Sequence, residues 1–270
     1  MSFDFTLTTY RQLLTALKQS GYSFYTFEDW CLGNAHGRYV ILRHDVDLKA
    51  GNSLVIAGIE AEMGIRATYY FRVIPQSNKP EIIKSIVELG HEIGYHYEDL
   101  SLYKGDKEKA IEHFKTQLEY FRQFYQVRTI CMHGSPTSKW DNRNLWKTYD
   151  YRIYGLLGEP YLDFLNRNQT SETEFKYFTD TARMWNGDNF NVRDKLPGNS
   201  HLNDSIKNPI KTVIHSTFDF IEWLKSKPSQ NVIMITTHPQ RWTNNYTSWL
   251  MELLKQNLKN IIKRFIISLR

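Results

Sequence analysis

Tyr39-Val40-Ile41-Leu42-Arg43-His44-Asp45-Val46-Asp47 carries the strongest pattern in the chain. Its first four residues form a short, β-branched apolar run, the mark of a buried strand, and Gly37 and Gly51 bound the unit. Four ionisable side chains follow within five residues. Buried without partners, such charges would neutralise or unfold the segment, so their place at a strand end points to chemistry. In α/β folds, ligands and reactions sit at the carboxyl ends of strands. Asp45 and Asp47 are two apart and face one side of an extended strand. Neighbouring acids suit a metal ion, a shared proton, or a base beside a ligand. The structural alternative is one helix-capping and one salt-bridged aspartate.

Outward from this stretch, strand and helix patterns alternate. The spacing predicts helices over 7–20, 52–63, 79–89 and 106–125, with strands over 67–73, 91–96 and 127–132 between them. Short connections of this kind imply a parallel sheet with crossover helices. The second half is less regular. Residues 135–148 and 186–210 read as long loops, and such loops usually wall or cover a site. A late buried strand at 231–237 runs into His238-Pro239-Gln240-Arg241-Trp242. A final helix at about 245–267 has an apolar stripe through Leu250, Leu254, Leu258, Ile261 and Phe265, expected to pack inward as the closing element. No repeat or linker divides the chain, so residues 1–270 are expected to form a single domain.

Composition narrows the function classes. The 270 residues are 41% hydrophobic and 23% charged, which is ordinary for a soluble globular protein with a sizeable core. The net charge of +5 comes as spaced single residues near the C-terminus rather than a dense basic run, which argues against nucleic acid. Two distant cysteines, Cys31 and Cys131, read as reduced structural thiols. Neither a secretory leader nor an 18-residue apolar run is visible, so the expectation is a cytoplasmic protein without a membrane span.

Of the nine histidines, His44, His96, His133 and His238 each fall at a predicted strand end, together with Asp45 and Asp47. A lone histidine there is more often a satisfied core residue; four together with two acids suggest a site. Histidine plus carboxylate without cysteine suits zinc, manganese or iron(II) with an open coordination position.

At these residues the chain resembles the polysaccharide deacetylases, the fourth carbohydrate esterase family. The resemblance rests on Ile41–Asp47 (ILRHDVD), Arg66–Phe71 (RATYYF), Gly90–His96 (GHEIGYH) and the late strand ending in His238, in that order from about residue 38 to 242. The Arg43–Asp47 form is similar to a branch associated with bacterial surface-polysaccharide synthesis. The resemblance implies a distorted (β/α)7 barrel with its groove at the carboxyl ends of the strands. It further implies hydrolysis of an N-acetyl group from a sugar or polysaccharide precursor, with a divalent metal, zinc first, as cofactor.

Carried over residue by residue, the resemblance makes Asp45 the general base and Asp47 a metal ligand, with Val46 between them leaving that order open. His96 matches the first metal histidine. The family's second histidine, four residues on, falls on Leu100, which cannot bind a metal; Glu98 or His133 is the replacement. Arg43 stands in for a missing arginine beside the base, with His133-Gly134-Ser135-Pro136 lining the equivalent region. Thr179–Trp185 matches a motif in which Asp180 orients the catalytic acid, and Arg183 and Trp185 join Arg43 as substrate-binding residues. His238 matches the histidine that protonates the leaving amine. Loss of the histidine at Leu100 keeps two alternatives open: a metal-independent hydrolase of another C–N bond, and a non-catalytic carbohydrate-binding protein.

Overall fold

The computed structural model describes residues 3–134, 138–168, 175–185 and 214–268. The 186–210 loop, Ser135 and Pro136, and the Phe265 side chain lie outside the described residues. Among the described residues seven parallel strands build one curled sheet: β1 (Ser23–Tyr25), β2 (Tyr39–Val46), β3 (Thr68–Phe71), β4 (Glu92–Tyr97), β5 (Ile130–Met132), β6 (Phe175–Thr179) and β7 (Val232–Thr237). Their order is β5-β4-β3-β2-β7-β6, and β1 pairs with the start of β2. Nine α-helices connect and cover them among the described residues: α1 (Leu7–Gln19), α2 (Phe27–Cys31), α3 (Ala50–Glu62), α4 (Pro80–Glu88), α5 (Asp99–Leu102), α6 (Lys107–Arg122), α7 (Pro160–Asn168), α8 (Thr217–Lys225) and α9 (Tyr246–Ser268). The result is a distorted α/β barrel of the expected class. Its described strands stop short of closure, because β5 and β6 form the two ends of the order.

The elements follow local rules. Helix α1 starts at a reciprocal Thr6–Thr9 capping box and buries Leu13, Leu14 and Leu17. Helix α6 starts at Asp106, whose carboxylate accepts from the Lys109 amide. The sequence pattern left out β6, α7 and α8, and a 3-10 helix at Asn142–Lys147 occupies part of the expected 135–148 loop. Strand β6 has only five residues and follows no clear alternation, which is why it is weak in the sequence.

Register sets the site. Along β2, Arg43–Val46 pair with Thr68–Phe71 of β3, and Tyr39–His44 pair with Val232–Thr237 of β7. His96 pairs with Cys131, and Thr179 pairs with Thr236. The residues just past these pairs, Asp47, His133, Asp180 and His238, therefore emerge at one rim beside Asp45 and His96. Gly94 lets the barrel hold an aromatic filler: a Cβ there would lie 2.4 Å from the Tyr70 ring and 2.8 Å from the Thr129 carbonyl oxygen.

At the opposite end of the barrel a buried carboxyl plugs the core. Glu92 accepts from the Thr68 hydroxyl at 2.6 Å, the Glu28 amide at 2.9 Å, and the Thr129 hydroxyl. Burial outweighs these donors and raises its pKa from an ordinary 4.5 to about 7. Between those values the folded chain keeps a proton that the unfolded chain has released, so stability falls as pH rises. A Glu92→Gln variant preserves the shape and has no charge to bury. Urea denaturation should show it gaining on the natural protein from pH 5 to pH 8 by roughly 2–3 kcal/mol, with no gain below pH 4.5.

Candidate metal centre

Three ligand-type atoms converge at the rim. Asp47 Oδ1 lies 3.0 Å from His133 Nδ1 and 3.5 Å from His96 Nε2. The two ring nitrogens are 3.3 Å apart. A tetrahedral zinc with bonds of about 2.1 Å has donor-to-donor edges of roughly 3.4 Å, so the triangle has the right size. Asp47 Oδ1 is also buried, with no hydrogen-bond partner of good geometry. An ionised oxygen left unsatisfied beside two imidazole nitrogens fits a cation.

Surrounding groups prepare these donors. His96 Nδ1 lies 2.9 Å from the Cys131 carbonyl, so that nitrogen carries the proton and Nε2 is free to ligate. Burial alone would raise the Asp47 pKa, but His133, His96 and His238 hold it well below the carboxylate range. For His96 burial lowers the pKa, and Asp45 and Asp47 reverse that into a net rise. Gln240 Nε2 reaches Asp47 Oδ2 at 3.4 Å.

A second potential ligand set, Asp45, His96 and Cys131, shares one histidine with the first. It is the poorer cation site. Arg43 Nη1 sits 2.7 Å from Cys131 Sγ and 3.1 Å from Asp45 Oδ1, placing a fixed positive charge there. Burial also pushes the Cys131 thiol well up, so it stays protonated and binds metal weakly.

Asp45 thus sits between a guanidinium and the cluster, its Oδ2 4.0 Å from His96 Nε2. On the far side, Asp180 holds His238. His238 Nδ1 lies 2.6 Å from Asp180 Oδ1, and the His238 amide donates to Oδ2 at 3.0 Å. Arg241 Nη1 donates to Oδ1 at 2.5 Å and Trp242 Nε1 to Oδ2 at 2.8 Å. Burial would raise the Asp180 pKa; Arg241 and His238 overcome it and bring it down to about 2. Against so firmly ionised an acid, His238 Nδ1 carries the proton, and Nε2 faces Asp47 Oδ2 at 3.9 Å.

The structure brings together Asp45, Asp47, His96, His133, Asp180 and His238, and separates others. Glu98 is spent on Arg72, which donates to it from Nε at 2.9 Å and Nη2 at 2.7 Å, and it takes no part in the cluster. Leu100 is buried in α5. His44 does not reach the rim: strand alternation turns it away from Asp45, onto Glu60 at 2.8 Å and Thr237 at 2.6 Å. Arg43 is fully buried and can act on a substrate only through Asp45. Arg183 lies over the Phe5 and Trp249 rings, and Trp185 is a core residue whose indole donates to Thr217, so neither meets the groove where substrate binding was expected. Cys131, Gln240, Arg241 and Trp242 carry roles that sequence reasoning missed. The His-Pro-Gln-Arg-Trp run after β7 was the available signal for the last three.

No family model matches the chain, and no curated protein matches it by sequence. Among solved structures it is similar to a pseudoenzyme of the fourth carbohydrate esterase family from Bacillus anthracis. The TM-score is 0.42 at 12% identity, covering 84% of this chain and 67% of that one.

Titration calorimetry with zinc separates the two candidate third ligands. His133→Ala should weaken binding at least tenfold, whereas Glu98→Gln should bind as the natural protein does while melting at lower temperature, its partner Arg72 left unpaired. Because His96 holds its proton above the ordinary histidine value, zinc affinity should fall with decreasing pH from above about 6.5.

Proposed function

We propose that the protein is a metal-dependent hydrolase that removes an N-acetyl group from a sugar or polysaccharide precursor, of the kind used in bacterial surface-polysaccharide synthesis. The observation that carries this reading is the Asp47–His96–His133 triangle set between Asp45 and an aspartate-braced His238. Acids and histidines in this arrangement suit acyl transfer to water, and the choice of a sugar N-acetyl substrate rests on the motif resemblance as an analogy.

Asp47, His96 and His133 would hold a divalent cation, zinc being the best match to the donors, which would supply Lewis acidity toward an acetamido carbonyl and the attacking water. Asp45 accepts the proton of that water. Arg43 holds the Asp45 carboxylate in place through the 3.1 Å contact, without touching substrate. A carbon–oxygen bond forms, the carbon–nitrogen bond breaks, and acetate leaves. The departing nitrogen is a poor leaving group as an anion, so it needs a proton. His238 is arranged to give it one from Nε2 while Asp180 stabilises the ring through Nδ1. Arg241 and Trp242 fix Asp180 in turn, so proton delivery keeps its geometry through the cycle.

Acetate release from N-acetylated oligosaccharides and nucleotide-linked N-acetyl sugars tests the reading. The zinc-loaded protein should release acetate, chelator should stop it, and Asp45→Asn should lower the rate about 10²–10⁴-fold while leaving zinc binding intact. Turnover that survives chelation, or an Asp45→Asn variant as active as the natural protein, would contradict it. Asp180→Asn should reduce kcat with KM little changed, because it weakens the acceptor that orients His238.

A further inference from the structure

Helix α9 lies on the barrel the wrong way round for a packing helix. Among its described side chains the fully buried ones are amides: Gln256 and Asn260 are buried, Gln256 Nε2 donates to Asn260 Oδ1 at 2.7 Å, and Asn260 Nδ2 donates to the Ala182 carbonyl at 3.3 Å. The apolar stripe faces outward. Met251 is 53% exposed, Leu254 56%, Leu258 60% and Ile261 65%. The expectation that this stripe closes the core is therefore corrected. Burying the amides satisfies their hydrogen bonds, and the leucines are left in water.

A contiguous apolar row of this size marks a contact surface. Its occupant follows from charge. The helix sequence carries Lys255, Lys259, Lys263 and Arg264 against one acid, Glu252. Glu252 is mostly covered and lies 4.0 Å from Lys49, while Lys255 and Lys259 are exposed beside the stripe. A second copy of the helix would thus bring basic groups together with no exposed acid to pair them. At the start of the stripe stand aromatic rings: Phe3 lies 4.9 Å from Trp249 and 5.8 Å from Tyr246, with Phe3 and Tyr246 both about half exposed. Lysines flanking an apolar helix face, with aromatics at one end, match a helix lying in the plane of a membrane interface. No described helix is long and apolar enough to cross a membrane.

We infer that α9 docks the protein on an anionic lipid surface, with the Met251–Ile261 row in the acyl boundary and Lys255 and Lys259 among the headgroups. The inference stands independently of the proposed chemistry. It is tested by cosedimentation of the full chain with vesicles of phosphatidylcholine, alone or with about 30% phosphatidylglycerol. The bound fraction should be at least tenfold higher on the anionic vesicles and should fall severalfold at roughly 0.5 M salt. Leu254→Glu with Leu258→Glu should abolish binding, and because both side chains are exposed the melting temperature should not fall. Lys255→Glu with Lys259→Glu should remove the preference for anionic lipid. Equal binding to both vesicle types would overturn the inference. So would a dimer in sedimentation equilibrium that the leucine pair of substitutions splits, since that assigns the stripe to a second copy.

Discussion

An ionised carboxylate partly withdrawn from water is costly unless cations or donors surround it, and Asp47 is such a group. Three histidines converge on it: His96 from the end of β4, His133 from just past β5, and His238 from just past β7. The parallel register about β2 is what delivers them, since it ends neighbouring strands at one level. Without that register the histidines would have no acid to face, and Asp47 would lose the interactions that keep it charged.

Two braces flank this centre, and they differ in kind. Arg43 inside the barrel is wholly buried and grips Asp45 from Nη1, which Cys131 Sγ shares, while Nη2 donates to the Tyr177 hydroxyl. Asp180 on the other side gathers His238, Arg241 and Trp242 around one carboxylate. The turn after Asp180 places two consecutive non-glycine residues, Ala182 and Arg183, in the left-handed region at φ of 64° and 57°. Such a conformation persists only when its surroundings hold it. Asn260 from α9 supplies one hold at the Ala182 carbonyl, so the helix that turns its leucines outward also supports the loop carrying Asp180.

The site was legible where chemistry-bearing residues sit at strand ends, because apolar runs announce the strands and the sheet aligns their ends. Asp45, Asp47, His96, His133 and His238 could be read that way. His44 shows the limit: it sits in the same run, yet the two-residue alternation that pairs Asp45 with Asp47 sends it to the opposite face onto Glu60. Glu98 and His133 were equal substitutes for the histidine absent at Leu100, since nothing in the sequence reveals that Arg72 takes up the glutamate. The inverted α9 was hidden for a related reason. Periodicity locates a stripe, but which stripe meets the body depends on hydrogen bonds available from the partner, here the Ala182 carbonyl.

The central claim is that Asp47, His96 and His133 form one cation site while Cys131 stays outside it. Zinc K-edge absorption spectroscopy on the zinc-loaded protein reads that ligand set directly. The account predicts a first shell of nitrogen and oxygen alone, at roughly 2.0–2.1 Å, with multiple-scattering features from two imidazoles. A sulfur scatterer near 2.3 Å, or a shell with a single imidazole, would contradict it.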